Sequence, residues 1–347
     1  MPPWIMFPNY SLSNPYQSLL ASALAPRWSV RFGDIGEAIG RAAGGVFHLH
    51  WEDAVYAGAA DEAEACALAA IFLADCASFR AAGGRLLWTI HNGAPHENRF
   101  PSADLGLRQG LAGMADLVHV HGQTAQLMAR ELGARRVLVA PHPSLHAHYP
   151  DDITDAAARR YWGLAEARTV FGFFGALRPY KGLDELMAAF ARHHLGGEDS
   201  ALLIAGRGGS EHPARWRMAA PGVRIAARQI EDAAVQYVLR AADFVVLPYR
   251  RILTSGSAML ALGFGRPVIA PALPALLDQL TPGQTMLGYT PDDPDGLQEA
   301  LRQAHMMPAE DRAFMRGAAR AAARAQPPER LAERLSDAIS HHHAPAS

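Results

Sequence analysis

Four polar clusters in this sequence each follow a short apolar, β-branched run, and their residue types are those that hold anions or move protons. The earliest is Phe47-His48-Leu49-His50-Trp51-Glu52-Asp53. Strand alternation points His48 and His50 to one face. A metal centre requires three or four ligands and no third partner is spaced to match, so His48 reads as a hydrogen-bonded core histidine. His50, Glu52 and Asp53 lie beyond the strand end and are expected to be exposed in a cleft. The next cluster, Thr89-Ile90-His91-Asn92-Gly93-Ala94-Pro95-His96-Glu97-Asn98-Arg99, has a loop shaped by Gly93 and Pro95. Neutral imidazole and carboxylate suit removal of a proton from a hydroxyl near neutral pH. A purely structural polar loop is the competing reading.

The later two clusters suit anions. Phe173-Phe174-Gly175-Ala176-Leu177-Arg178-Pro179-Tyr180-Lys181-Gly182 combines a strand end, a glycine turn and two cations, with a helix starting at Leu183. Arginine can fork onto two phosphate oxygens, lysine adds a point charge, and the free N–H groups of the helix add more, which together fit a diphosphate. Leu247-Pro248-Tyr249-Arg250-Arg251-Ile252-Leu253-Thr254-Ser255-Gly256-Ser257 leads into another helix, whose capping hydroxyls and amides form a second anion cradle. Two further patterns carry little weight. Gly206-Arg207-Gly208-Gly209 lacks the full spacing of a dinucleotide turn, and Asp293-Pro294-Asp295 reads as a helix cap rather than a metal ligand pair.

The elements that must position these clusters alternate. Strand-like runs fall at residues 4–7, 46–49, 86–90, 117–120 and 137–140, then at 170–174, 202–205, 223–226, 244–247 and 268–270. Helical patterns lie between them at 16–24, 59–80, 124–132, 183–193, 231–240 and 295–305. Apolar character on both strand faces argues for an α/β protein with parallel, doubly wound sheets. A proline-rich, polar stretch from Pro141 to Trp162 divides the chain. The expected domains are residues 1–150 and 151–310, with helices in 311–347 returning to the first. Two such domains facing each other would place every cluster on one crevice, at the carboxyl ends of the strands. The tail reads as two helices parted by Pro327-Pro328, and its Arg312, Arg316, Arg320 and Arg324 stack on one face. A solvated face is the simpler reading and contact with anionic headgroups the functional one. His341-His342-His343 alone makes no metal site.

Composition narrows the classes. The 347 residues are half hydrophobic and 19% charged, with a formal net charge of −2, so the chain has material for real cores and lacks the basic excess of a general nucleic-acid binder. Cys66 and Cys76, ten residues apart in a helical stretch, would sit about 15 Å apart, too far for a bridge. Neither a signal peptide nor a spanning helix is legible, and the expectation is a cytoplasmic protein able to rest on the inner face of a membrane.

Together, the two Rossmann-like halves, the Gly-x-Leu-x-x-x-Lys-Gly turn at Gly175–Gly182 and Gly265-Arg266-Pro267-Val268 resemble the GT-B glycosyltransferases, over nearly the whole chain. Five segments resemble, more narrowly, the xanthan-type exopolysaccharide β-mannosyltransferases. They are Asn14-Pro15-Tyr16, His48-Leu49-His50-Trp51, Thr89-Ile90-His91-Asn92 with Pro95-His96-Glu97, Arg178-Pro179-Tyr180-Lys181-Gly182, and Leu247-Pro248-Tyr249 with Ser255-Gly256. The sequence departs from common retaining GT-B enzymes, whose two glutamates before the Gly-x-Pro-Val segment are Ile252 and Leu260 here, and whose arginine after the glycine is Ala176.

The narrower resemblance implies inverting transfer of mannose from GDP-mannose to a polyprenyl-diphosphate-linked oligosaccharide, with no cofactor and no metal. Under it Gly175, Arg178, Lys181, Tyr249, Ser255, Gly256 and Ser257 would bind the donor, and His50, Trp51, Asn92 and His96 the acceptor. Glu97 is the first candidate for the base and Asp53 the second, with His91 positioning the sugar. A retaining hexosyltransferase using a UDP-sugar, a sugar-nucleotide epimerase of the same fold and a two-lobed binding protein are the rivals.

Overall fold

A computed structural model describes residues 1–93, 99–194, 199–208 and 222–341. Two six-stranded parallel sheets organise them. The first has the order β2-β1-β3-β4-β5-β6, from β1 (Pro3–Phe7), β2 (Ser29–Phe32), β3 (Val46–Leu49), β4 (Arg85–Thr89), β5 (Leu117–Val120) and β6 (Val137–Val139). The second has the order β12-β11-β10-β7-β8-β9, from β7 (Thr169–Phe174), β8 (Ser200–Ala205), β9 (Val223–Ala226), β10 (Phe244–Val246), β11 (Val268–Pro271) and β12 (Met286–Tyr289). Strands such as β3, β5 and β8 are buried at every residue, as helices covering both faces require.

Two strands escape the sequence pattern, β2 and β12, and both are sheet edges. An edge strand needs no continuous apolar run, and Ser29-Val-Arg-Phe is exposed or half-buried throughout. The helix Pro101–Met114 is also unforeseen. Its three glycines weaken helix propensity. Gly110 has a packing reason, because a Cβ there would lie 2.5 Å from the Leu73 side chain of the neighbouring helix Glu62–Ala81.

Two compact units result, Met1–Pro143 with Pro327–Ser347, and Ser144–Gln326. The chain therefore parts at Pro143, a few residues before the expected boundary, and the segment 311–347, expected to return as helices to the first domain, divides at Gln326. The helix Pro328–Ser340 packs on the first unit, where Trp28 Nε1 donates to Ser336 Oγ at 3.0 Å and Arg334 donates to the Val139 carbonyl at 2.7 Å. The helix Ala309–Arg324 stays with the second. Its arginines are not a uniformly solvated face: Arg312 donates to the His305 and Met307 carbonyls, Arg316 pairs with Asp155, and Arg320 lies against Gly265. Arg266 of the Gly265–Val268 segment is fully buried and also pairs with Asp155, so that motif works as a structural lock. Cys66 and Cys76 are free thiols.

Candidate active site

In the first unit the strand order reverses between β1 and β3, and the residues just past their ends, Tyr10 and Trp51, have rings 5.3 Å apart. Open parallel sheets bind ligands at that reversal. Trp51 is half-buried and stacks on His91 at 4.4 Å with 14° between the rings. Behind this aromatic ledge lies a cluster of six buried histidines, His48, His50, His91, His119, His121 and His142, each at or just past a strand end. Tyr16, near the start of the helix Pro15–Leu24, inserts among four of them, its ring 4.9–5.8 Å from those of His50, His91, His121 and His142.

Hydrogen bonds fix several of the tautomers. Trp4 Nε1 donates to His48 Nδ1 at 3.3 Å, so the His48 hydrogen sits on Nε2 and is donated to Thr89 Oγ1 at 2.7 Å. The Thr89 hydroxyl then donates to His119 Nδ1 at 3.0 Å, and His119 Nε2–H donates to the Ala140 carbonyl at 3.2 Å. Every polar group in that chain is satisfied with both imidazoles neutral. His121 Nδ1–H shares the same carbonyl, and His50 Nδ1 and His91 Nε2 are 3.1 Å apart. The Tyr16 hydroxyl, His50 Nε2 and His121 Nε2 are buried without a partner. Burial, reinforced by neighbouring imidazoles, holds His48, His50, His91 and His121 well below the usual histidine range. Burial likewise takes His119 to about 3 and His142 to about 4. Among the described residues no three His, Cys, Asp or Glu side chains are arranged to hold a metal ion.

His48 thus occupies the hydrogen-bonded core position expected of it. Two expectations of exposure, for His50 and Glu52, are corrected, while Asp53 keeps part of the exposure expected of it. His50 is fully buried because Tyr16 and its helix cover the strand end, Glu52 is 6% exposed, and Asp53 is half-buried. The cause for Glu52 is Arg108, whose guanidinium Nε stands 3.4 Å from Glu52 Oε1 while Trp88 Nε1 donates to Oε2 at 3.3 Å. Burial outweighs that cation and pushes the Glu52 carboxyl up to about 7. Burial also raises Asp53 above the ordinary aspartate range. His91 is buried and Asn92 half-buried on the loop after β4. His96 and Glu97 lie outside the described residues.

In the second unit the strand order reverses between β7 and β10, and the residues past those two strands build one cradle. Gly175 follows β7 with φ of 140°, a conformation glycine adopts without strain. A Cβ at Gly175 would lie 3.0 Å from Ser257 Oγ and 3.1 Å from Lys181 Nζ, so backbone, hydroxyl and ammonium converge on one spot. Gly206, after β8, lets the neighbouring turn approach, since a Cβ there would lie 1.9 Å from the Gly175 carbonyl oxygen.

Lys181 is 8% exposed, with Nζ 5.5 Å from the Tyr249 ring centroid and 5.8 Å from that of Phe173. Burial and the adjacent Arg178 push its ammonium below the ordinary lysine range, against the raising influence of Tyr180. Arg178 itself is half-buried, on the turn between β7 and the helix Leu183–His194. Ser255 caps the helix Gly256–Gly263, its Oγ accepting from Ala258 N at 3.1 Å and standing 3.3 Å from the Tyr249 hydroxyl. All seven residues expected to hold a donor therefore lie at one sheet end, in the segments after β7 and β10 and the first turn of the helix Gly256–Gly263. Asp295, read as a cap, makes no side-chain bond to its helix; Asp293 Oδ1 instead accepts from Asp295 N at 3.0 Å.

Sequence reading missed His119, His121, His142 and Arg108. His119-Val120-His121 repeats, at the end of β5, the His48-Leu49-His50 spacing at the end of β3, and that repeat was the available signal. Arg108 gave none, because it stands on the unforeseen helix.

Known proteins resemble this chain in sequence and in fold. Residues 168–306 match the family described as Glycosyl transferases group 1. A GDP-mannose:glycolipid 4-beta-D-mannosyltransferase of Xanthomonas campestris pv. campestris is 27% identical over 320 residues, spanning 86% of this chain and 83% of that protein. Sucrose-phosphate synthase of Thermosynechococcus elongatus is similar in structure with a TM-score of 0.75 at 16% identity, over 97% of this chain and 98% of that one. HepE of Anabaena, solved with UDP and glucose, gives a TM-score of 0.75 at 15% identity, over 98% of this chain and all of its own. The fold is GT-B, and the chain is a glycosyltransferase that carries a group 1 domain at residues 168–306.

Proposed function

We propose that this glycosyltransferase moves mannose from GDP-mannose to a lipid-linked oligosaccharide, inverting the anomeric centre. The observation that carries the reading is the convergence of Lys181 Nζ, Ser257 Oγ and the bare face of Gly175. A buried ammonium facing a hydroxyl and a glycine turn fits the diphosphate of a nucleotide sugar. It stabilises the charge that develops on the leaving diphosphate as the glycosidic bond breaks, without requiring a metal. Arg178 and the capped helix at Ser255–Ser257 add donors to the same oxygens. The Xanthomonas relative supports mannose as the sugar and a glycolipid as the acceptor.

The first unit handles the acceptor. Its aromatic ledge, Tyr10 and Trp51, suits a pyranose face, and the neutral histidines behind it offer lone pairs and N–H groups rather than charge. Glu97 removes the proton from the attacking hydroxyl, Asp53 is the second candidate, and His91 orients the sugar with Trp51, His96 and Asn92, while the buried His50 supports His91 from behind at 3.1 Å. The acceptor class places the reaction at the inner face of a membrane, with the protein docked peripherally; no helix among the described residues is long and apolar enough to cross one.

A thermal-shift panel of GDP, UDP and their sugars identifies the donor, since a ligand that binds the native state raises its apparent stability. NMR of the product then gives its anomeric configuration. GDP-mannose with a β product supports the proposal. A retained α linkage, or isomerisation of the donor without an acceptor, refutes it. Glu97→Gln should lower kcat about 100-fold or more with GDP affinity little changed, and turnover within threefold of the parent would remove Glu97 as the base.

A further inference from the structure

The loop after β4 carries His91 and Asn92, and a single buried arginine holds its stem. Arg108, on the helix Pro101–Met114, is 3% exposed. Its NH1 donates to the Gly93 carbonyl at 2.7 Å and its NH2 to the Asn92 carbonyl at 2.9 Å. Glu52 Oε1 stands 3.4 Å from Nε and Asp104 Oδ2 3.8 Å from NH1, so two carboxyls from two elements balance one cation. Each is held in turn, Glu52 by Trp88 Nε1 at 3.3 Å and Asp104 by the Tyr56 hydroxyl at 2.9 Å. A guanidinium is suited to this because its planar fork donates to two carbonyls at once, which an ammonium cannot do in one plane, while Nε, buried without a hydrogen-bond partner, faces the Glu52 carboxyl. Burying a guanidinium, here with one N–H left without a hydrogen bond, is costly, and a core helix position beside Trp88 would be filled more cheaply by an apolar side chain.

We infer that Arg108 is a positioning residue for transfer: it fixes the Asn92–Gly93 stem, and through it sets His91 and Asn92 for the acceptor, with Glu52 as its counter-ion. The inference rests on the assignment of that loop to the acceptor. Arg108 touches no reacting atom in this scheme; it acts through the two carbonyls it grips.

The full chain carrying Arg108→Ala, Arg108→Lys or Glu52→Gln tests it in two independent arms. In the first, hydrogen exchange is read for the peptide spanning residues 89–100 and for the β5 peptide spanning residues 115–122. Arg108→Ala should speed exchange in the former at least tenfold and leave the latter protected, and added guanidinium ion should restore the parent rate. In the second arm, kcat should fall about 10- to 100-fold with GDP affinity within twofold of the parent. Guanidinium should recover at least threefold of it, and Arg108→Lys should keep more activity than Arg108→Ala. Glu52→Gln keeps an acceptor for Trp88 and removes the counter-ion's charge. It should fold and show a smaller loss of kcat in the same direction.

Unchanged exchange in the loop peptide, or a loss of activity that guanidinium does not touch, overturns the positioning role. A loss of protection that spreads to the β5 peptide overturns it as well, since Arg108 would then serve the fold at large. A protein that shows the exchange difference but transfers no sugar refutes the functional reading and leaves the clamp standing.

Discussion

The two units end their sheets in opposite chemistry. The first gathers six buried imidazoles around Tyr16, hydrogen-bonded to one another, to Trp4 and Thr89 and to backbone carbonyls. The second gathers an ammonium, hydroxyls and a glycine turn, and carries ion pairs such as Arg159–Asp243, Arg240–Asp151 and Arg266–Asp155 at the opposite end of its sheet, before β10 and β11. Under the proposed function each choice matches a task. Neutral nitrogen and hydroxyl groups can accept or donate a hydrogen bond to an uncharged sugar at little desolvation cost. A diphosphate needs fixed positive charge. On that reading a related fold serves two ligands through the loops that leave its strand ends.

The contrast should appear first in acid. The six buried histidines of the first unit have folded pKa values below the ordinary 6.5, with His119 near 3 and His142 near 4. Between those values and 6.5 the unfolded chain binds more protons than the folded one, so their stability is complete above 6.5 and is lost as pH falls. Each such histidine contributes about 1.4 kcal/mol per pH unit in that window. Glu52, Asp53 and Asp104 work against them, because raised carboxyl pKa values favour the folded state on acidification. Six groups outweigh three, and a net loss on the order of several kcal/mol is expected between pH 6.5 and 5. Hydrogen exchange, corrected for its intrinsic pH dependence, should show residues 1–143 opening before residues 144–326. Simultaneous opening would remove the distinction.

The second unit should break instead at its ion pairs. Asp155 accepts from Arg240, Arg266 and Arg316, and Arg266 is fully buried. Asp155→Ala leaves that guanidinium unpaired and should cost about 3 kcal/mol, read as a lower urea midpoint and as faster exchange confined to residues 144–326. A change below about 0.5 kcal/mol would mean that the network carries no stability.

A smaller effect sharpens the histidine side. Thr89→Val preserves shape and removes the hydroxyl that links His48 to His119. The two imidazoles lose one partner each, at a cost of about 1–3 kcal/mol. An unchanged urea midpoint would mean that the chain of hydrogen bonds is incidental.

How much of this was legible depends on where each residue sits. The parallel fold showed in the strand runs because strands buried on both faces must be apolar throughout, whereas the edge strands β2 and β12 carry no such obligation. The convergence of Gly175, Lys181 and Ser257, proposed here as the donor cradle, was readable because its parts are contiguous, Gly175 to Lys181 and Ser255 to Ser257, each at a strand-to-helix turn. The histidine cluster was not, because His48, His91, His119 and His142 meet only through strand register, in which Thr89 lies opposite His119. The burial of His50 and Glu52 was misjudged for a similar reason. Their covers, Tyr16 and Arg108, lie 34 and 56 residues away in the chain, by their numbers.

The most direct test of the donor cradle is titration of GDP into the parent protein and into Lys181→Met by calorimetry. Removing one charged hydrogen bond of about 1.5–3 kcal/mol should weaken GDP roughly 10- to 100-fold, with folding and the exchange pattern of residues 1–143 intact. An affinity within twofold of the parent would contradict the claim that the second unit grips a diphosphate at Gly175, Lys181 and Ser257.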